Sequence, residues 1–122
     1  MKRMMIGLVL VVSLSTALYA ATYLAFESVT VGTTAASFTS TSINATGAHM
    51  AATMAMCMVT SAAVNYRVDG TSAVTSAVTG GIPAAVGTPI YLNGNDVLNN
   101  FRAVYQTSAG GSALLNCVYS RP

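Results

Sequence analysis

Beyond its first twenty residues, this chain of 122 residues consists of short runs of β-branched and aromatic residues separated by Gly, Asn, Ser and Pro. Helical periodicity is nearly absent from this part of the chain. Runs of this kind are typical of antiparallel sandwiches and barrels. The sequence therefore predicts an all-β fold, a single antiparallel β-sandwich of the jelly-roll kind, over residues 21–122. A segment of this length suffices for one small domain and not for two.

The first half of this region contains three strand candidates. A strand is predicted from Phe26 to Val31, and Ala35 to Thr39 is a candidate continuation of it. Ala51 to Thr60 is the longest apolar run and predicts a central strand that is buried on both faces, although periodicity alone leaves a helix open. Val64 to Val68 predicts a further strand, which the turn dipeptide Asp69-Gly70 closes.

The second half alternates between turn signals and short apolar runs. Thr71 to Gly87 is small, polar and rich in Gly, and it predicts a long surface loop. Pro89 to Leu92 predicts a short strand with Pro89 at the edge of a sheet, and Asp96 is expected to cap a helical turn that ends at Asn100. Phe101 to Gln106 and Ser112 to Tyr119 predict two strands joined as a hairpin by a Gly-containing loop.

Residues 1–20 have the pattern of a secretory signal peptide. Lys2 and Arg3 precede an apolar stretch from Ile6 to about Leu18, and small residues follow at Ala17, Ala20 and Ala21. The apolar stretch is shorter than the ~20 residues of a comfortable membrane span. An uncleaved anchor and a hydrophobic N-terminal segment that stays in the folded protein remain open alternatives, and so does the question of cleavage.

The domain that remains carries almost no charge. Two of the five basic residues lie in the leader, which leaves Arg67, Arg102 and Arg121 against Glu27, Asp69 and Asp96. This neutrality argues against nucleic acid as a partner and, once the leader is removed, against an anionic membrane. Because charge protects freely diffusing proteins from self-association, its scarcity favours a component of an assembly, and a homo-oligomer is expected.

The two cysteines are candidates for a disulfide. Alternation along the predicted strands places both Cys57 and Cys117 on core-facing positions, and an exported compartment would allow them to join. A bridge that closes a loop of this length would contribute about 4 kcal/mol. Two separate buried thiols are the alternative.

Three methionines lie at alternate positions of the longest apolar run. Met54, Met56 and Met58 would share one face of a strand, and packing in the core is the favoured interpretation. The alternative is a soft-metal site for Cu(I), with His49 and Cys57 close in sequence.

Nothing in the sequence points to catalysis or to a cofactor. His49 is the only histidine and has no partner for acid–base chemistry. The three carboxylates are too widely spaced for a paired acid–base site, and no serine elbow, phosphate loop or metal signature is present. The arginines are expected to pair with Asp69 or Asp96, or to donate to backbone carbonyls at a subunit contact.

Three clusters, taken together, resemble a known group of proteins. They are Tyr66-Arg67-Val68-Asp69-Gly70-Thr71, the segment from Leu92 to Ala103 with Gly94, Asp96, Leu98, Asn100, Phe101 and Arg102, and the closing strand from Ala113 to Arg121. Their order resembles small β-sandwich virion proteins of tailed bacteriophages, of the capsid decoration or cement kind.

The resemblance implies a structural, non-enzymatic subunit, commonly trimeric, that binds the major capsid protein or another virion protein. It assigns no catalytic residue and carries over only fold-defining or assembly-defining positions, namely Arg67, Asp69, Gly70, Phe101 and Arg102. The expected location is the virion surface, or the periplasm or extracellular space if the leader is a functional signal peptide. A secreted or periplasmic small binding module is the alternative hypothesis.

Overall fold

The computed structural model describes residues 21–47, 49–73, 80–107 and 110–122. The predicted leader, residues 1–20, lies outside the described residues, as do 74–79 in the predicted surface loop. The elements in chain order are β1 (Thr22–Val31), α1 (Ser40–Ile43), β2 (Met54–Val59), β3 (Val64–Arg67), β4 (Ile82–Ala84), β5 (Pro89–Asn93), α2 (Asn95–Asn100), β6 (Arg102–Tyr105) and β7 (Ala113–Arg121). Within the described ranges, no helix is long and apolar enough to cross a membrane.

The strands form two antiparallel sheets. One has four strands in the order β1-β7-β2-β5, and the other has three in the order β4-β3-β6. Every strand pair in both sheets is antiparallel. The prediction of a mostly β, antiparallel fold is thus confirmed.

Aromatic rings connect the two sheets through the core. Tyr119 of β7 meets Phe38 edge-on with ring centroids 5.3 Å apart, and Phe38 stacks on Phe101 at 4.3 Å. Phe101 in turn lies 5.8 Å from Tyr66 of β3. We call the side of the four-stranded sheet that faces these rings the inner face, and the opposite side the outer face.

The longest apolar run forms a central strand, but its predicted burial is wrong. β2 lies between β7 and β5, and only its alternate residues Ala55, Cys57 and Val59 are buried. Among the described residues, no second layer covers the other face of β2, because the three-stranded sheet lies on the inner face. Residues 51–53 lie outside the strand, which starts at Met54.

Two segments differ from the predicted secondary structure between β1 and β5. Ala35 to Thr39 does not continue β1; only Ala36 pairs, through an isolated bridge to Ala103 of β6 with N–O distances of 2.7 and 2.9 Å. The predicted loop from Thr71 to Gly87 contains β4, which pairs with β3. Long-range backbone pairing decides the structure of both segments, and their local composition does not encode that pairing.

The predicted final hairpin is wrong, although both of its strands exist. β6 pairs with β3, whereas β7 pairs with β1 and β2 in the other sheet. The link between them therefore passes from one sheet to the other, and its residues 108–109 lie outside the described residues. A short Gly-containing link can join two strands of one sheet or two strands of different sheets. Which of the two forms depends on non-local strand pairing, which the local sequence does not encode.

Helix α2 is present where a helical turn was predicted, but Asp96 does not cap it. The N-cap position is Gly94, and Asp96 lies in the first turn. The neighbouring Asn95 amide instead donates to the carbonyls of Ile43 and Ala52, both at 3.0 Å. This contact fixes α2 to the connection between α1 and β2.

Candidate functional site

An apolar row crosses the outer face of the four-stranded sheet. In the strand register, Phe26 of β1 is opposite Val118 of β7, which is opposite Met56 of β2, which is opposite Tyr91 of β5. Phe26 is 66% exposed, Met56 43% and Tyr91 73%. Directly paired residues share a face and contact one another, so this row is a continuous apolar surface open to solvent.

A bulge in β1 adds a second aromatic residue to the outer face. Tyr23 and Phe26 are three positions apart and would lie on opposite faces of a regular strand. The register shifts between Tyr23 and Ala25, so that Tyr23 pairs with Ser120 and Ala25 pairs with the inward-facing Tyr119. The extra residue of a bulge reverses the alternation, and Tyr23, at 77% exposed, therefore joins Phe26 on the outer face.

Two further rows flank the apolar row. They are Tyr23–Ser120–Met54–Asn93 on one side and Ser28–Asn116–Met58–Pro89 on the other. The first of them lines a groove of about 580 Å³ together with Met56, Tyr91 and Val118. In the second, the Ser28 hydroxyl donates to the Asn116 side-chain oxygen at 2.8 Å. The flanking rows are uncharged and mix polar with apolar groups.

No charged residue of these four strands lies on the outer face. The strands contain only Glu27 and Arg121 as charged residues. Glu27 lies opposite the buried Cys117 in the strand register. Arg121 is an odd number of positions from the outward-facing Val118 and Ser120, so it lies on the other face of β7. Both charges therefore belong to the inner side of the sheet.

Glu27 is satisfied by groups of the core. Its carboxylate accepts hydrogen bonds from the Tyr119 hydroxyl at 2.8 Å, from the Thr39 backbone N–H at 3.2 Å and from the Thr39 hydroxyl. Burial, followed by the hydrogen bond to Glu27, raises the pKa of Tyr119 well above its ordinary value. The Glu27 carboxylate connects β1 to β7 and to the start of α1. Its role in these contacts is structural.

The methionine stripe does not pack in the core, so the favoured sequence interpretation is wrong. Met54 and Met56 are 40% and 43% exposed, and Met58 is partly buried. Alternation identifies the residues that share a face, but it does not show which face turns inward. Here the smaller residues Ala55, Cys57 and Val59 take the inner face.

The residues suggested as additional copper ligands do not join the stripe. Cys57 lies on the opposite face of β2 and is bonded to Cys117. His49 belongs to a tight bridge with Thr46 before the strand begins. Among the described residues, no three His, Cys, Asp or Glu side chains come close enough together to hold a metal ion.

Cys57 and Cys117 form a disulfide across the central strand pair. They are direct register partners of β2 and β7, with Sγ atoms 2.03 Å apart, and both are fully buried. The bond cross-links residues that are 60 positions apart in sequence. It lies on the inner face, directly beside the outward-facing pair Met56 and Val118.

The positions implied by the resemblance to phage proteins meet at one end of the second sheet. Arg67, at the end of β3, donates to Asp69, with Nε 3.1 Å from Oδ1. The Gly70 N–H donates to the Asn100 carbonyl at 3.1 Å, and the φ of Gly70, 82°, favours glycine. The hydrogen bonds from Arg67 and then from Thr71 lower the pKa of Asp69 well below its ordinary value.

Phe101 and Arg102 complete this cluster from the other strand. Phe101 is fully buried between Phe38 and Tyr66. Arg102 lies opposite Arg67 in the register and donates to the carbonyls of Asn99 and Phe101 at 3.0 and 2.7 Å. The two arginines thus have separate partners within the chain, and neither is hydrogen-bonded to Asp96.

Sequence reasoning missed the aromatic residues of the outer face. Tyr91 alternates with the buried Ile90 and Leu92, and that alternation was a usable signal for an exposed position. Tyr23 gave no such signal, because the bulge that brings it to the same face as Phe26 is not visible in the sequence.

Comparisons with protein-family models, with curated proteins and with solved structures found no match to this chain. Function therefore has to be inferred from the surface chemistry and the topology of the domain.

Proposed function

We propose that this protein is a non-enzymatic structural subunit of an ordered external assembly, most like a phage capsid decoration protein. The observation that carries the proposal is the uncharged aromatic and methionine surface on the outer face. Interface cores are enriched in Tyr, Phe and Met and depleted in charged residues. Soluble monomers rarely expose a large continuous apolar patch of this kind.

The topology supports a jelly-roll sandwich, an architecture that recurs in viral capsid domains. In an eight-stranded jelly roll, the first, eighth, third and sixth strands form one sheet, and the second, seventh, fourth and fifth form the other. Without its second strand, that order becomes β1-β7-β2-β5 and β6-β3-β4, which are the two sheets observed. The bridge from Ala36 to Ala103 of β6 lies where the second strand would pair.

The disulfide and the leader both favour an external location. Disulfides form and persist in oxidising compartments and are rare in the cytosol. The signal-like segment before Ala21 would direct the chain to such a compartment. An exported subunit, or a subunit of a virion surface, is consistent with the bond between Cys57 and Cys117.

The proposed partners are other copies of this chain and a capsid protein or another virion protein. The resemblance carries over Arg67, Asp69, Gly70, Phe101 and Arg102 as fold-defining or assembly-defining positions. After residue 20 the three arginines balance the three carboxylates, and this neutrality argues against nucleic acid or an anionic membrane as a partner.

The mass of the native protein tests the proposal. The full chain, expressed with its own leader in a bacterial host and purified without reductant, is expected to form oligomers in native mass spectrometry and sedimentation velocity. Electron microscopy of the concentrated protein would detect ordered arrays. A strictly monomeric protein at every concentration, without arrays, contradicts the proposal. The intact mass also reports whether residues 1–20 have been removed.

A soft-metal binding module is the second candidate, because the thioethers of Met54 and Met56 are open to solvent. Alternate residues of a strand lie about 6.6 Å apart, so these two side chains can converge on one Cu(I) ion. Calorimetry with Cu(I) under anaerobic conditions tests this function. Saturable binding that disappears when Met54, Met56 and Met58 become Leu supports it, and the absence of saturable binding contradicts it.

A further inference from the structure

We propose that a second copy of this chain covers the outer face, related to the first by a two-fold axis that runs along the strands. The inference rests on the proposed function, since it names the partner that the exposed surface receives. A two-fold axis makes the contact isologous, so that the same four strands are buried on both copies.

The apolar row is matched to its own reversed copy. Its order of side chains is aromatic, aliphatic, aliphatic, aromatic: Phe26, Val118, Met56, Tyr91. A two-fold axis along the strands reverses this row on the facing sheet. Phe26 then meets the partner's Tyr91, and Val118 meets the partner's Met56. Aromatic residues therefore contact aromatic residues, and aliphatic residues contact aliphatic residues.

The absence of charge on the outer-face positions of these four strands removes the main obstacle to self-pairing. In an isologous contact every charged group approaches a copy of itself or of its neighbours, and unpaired buried charges are costly. Glu27 and Arg121 both belong to the inner side. A partner recognised by complementary charge would leave charged residues on this surface, and the four strands place none there.

The size of the face is sufficient for a specific pair. The four strands contain ten, nine, six and five residues. With neighbouring strands about 4.8 Å apart and about 3.3 Å per residue, the face covers about 500 Å². Two copies would bury about 1,000 Å² in total, which reaches the lower limit for a specific interface. Aligned sheets also pack with their strands within about 30° of each other.

The first experiment compares the dissociation constants of three full-length proteins by sedimentation equilibrium and native mass spectrometry. The wild type is expected to be a dimer. Met56→Glu places a carboxylate in the centre of the buried row and is expected to weaken the dimer about 100-fold or more. Ile82→Glu, at a residue of the other sheet that is 51% exposed, is the control and should change the constant less than about threefold.

The outcomes distinguish the two-fold dimer inferred here from the more general proposal of an assembly subunit. A monomeric wild type contradicts both this inference and the proposed function. A trimer, or a dimer that Met56→Glu leaves intact, contradicts this inference alone. If Met56→Glu lacks the disulfide or the circular dichroism of the wild type, Tyr91→Ser on the edge strand replaces it, with the same expected direction.

A mixing experiment tests the direction of the axis. Glu at position 56 should face position 118 of the partner, so Met56→Glu mixed with Val118→Lys is expected to form a mixed dimer at least tenfold more tightly than either variant pairs with itself. Recovery only between Met56→Glu and Met56→Lys would mean that Met56 meets its own copy. That result would overturn the proposed axis.

Discussion

The two faces of β2 differ in burial along the whole strand. Cys57 points inward, is bonded to Cys117 and is fully buried. Its neighbour Met56 points outward and is 43% exposed, although it has the larger apolar side chain. Burial here follows the position of the second sheet and not the size of the side chain. The exposed methionine beside a buried disulfide marks the surface that we propose a partner covers.

The largest expected difference between the faces concerns two adjacent cross-strand pairs. Replacing both cysteines, Cys57→Ala with Cys117→Ala, should lower the free energy of unfolding by about 4 kcal/mol, because the unfolded chain loses its cross-link. The matched outer pair, Met56→Ala with Val118→Ala, should cost about 1 kcal/mol, since surface substitutions have small effects. Urea unfolding of dilute protein without reductant measures both. Equal losses from the two pairs would contradict the assignment of inner and outer faces.

Two positions of β1 provide a second matched comparison. Val29→Ser removes a buried side chain and places a hydroxyl in the core, and it should cost about 3 kcal/mol. Phe26→Ser on the outer face should cost about 1 kcal/mol or less in dilute protein. At high protein concentration, Phe26→Ser is expected to weaken self-association more than Val29→Ser does. Urea unfolding and sedimentation of the same samples separate the two effects.

Tyr119 on the inner face and Tyr91 on the outer face provide a third comparison, in which the pH dependence of stability is measured. Tyr119→Phe removes a donor to the Glu27 carboxylate and should cost about 2 kcal/mol, whereas Tyr91→Phe should cost almost nothing. The folded state raises the pKa of Tyr119 above its ordinary value of 10.0. The resulting stabilisation is complete below pH 10 and decreases as the pH rises above it, because the unfolded tyrosine loses its proton first.

Unfolding measured between about pH 8 and pH 11 should therefore show a smaller decline for Tyr119→Phe than for the wild type. The Tyr91→Phe variant should keep the wild-type decline. An identical pH dependence in all three proteins would argue against the hydrogen bond between Tyr119 and Glu27.

The smallest effect is expected at the exposed ion pair. Asp69→Asn should lower the thermal midpoint slightly, and about 1 M salt should remove most of the difference from the wild type. The pKa of Asp69 is lowered in the folded protein, so its contribution is present above the ordinary carboxyl pKa and is lost as the pH falls below it. A large loss of stability at neutral pH would show that Asp69 does more than pair with Arg67.

The strand content of the domain could be predicted from the sequence, whereas the pairing of strands and the direction of faces could not. The alternation around Cys57 and Cys117 correctly placed both residues on buried positions. The uninterrupted apolar run nevertheless predicts burial of Met56 as well, because composition does not show that the second sheet covers only one face of β2. The bulge at residue 24 and the separation of β6 from β7 depend on long-range hydrogen bonds, which leave no local pattern.

The oxidation of methionines in the assembled protein tests most directly whether the outer face is an interface. Hydrogen peroxide converts exposed methionines to sulfoxides, and mass spectrometry follows Met54, Met56 and the loop residue Met50 separately. In concentrated protein we expect Met54 and Met56 to oxidise at least tenfold more slowly than in dilute protein, while Met50 reacts at the same rate in both. Equal rates for Met54 and Met56 at the two concentrations, in protein that sedimentation shows to be associated, would contradict the assignment of this face to assembly.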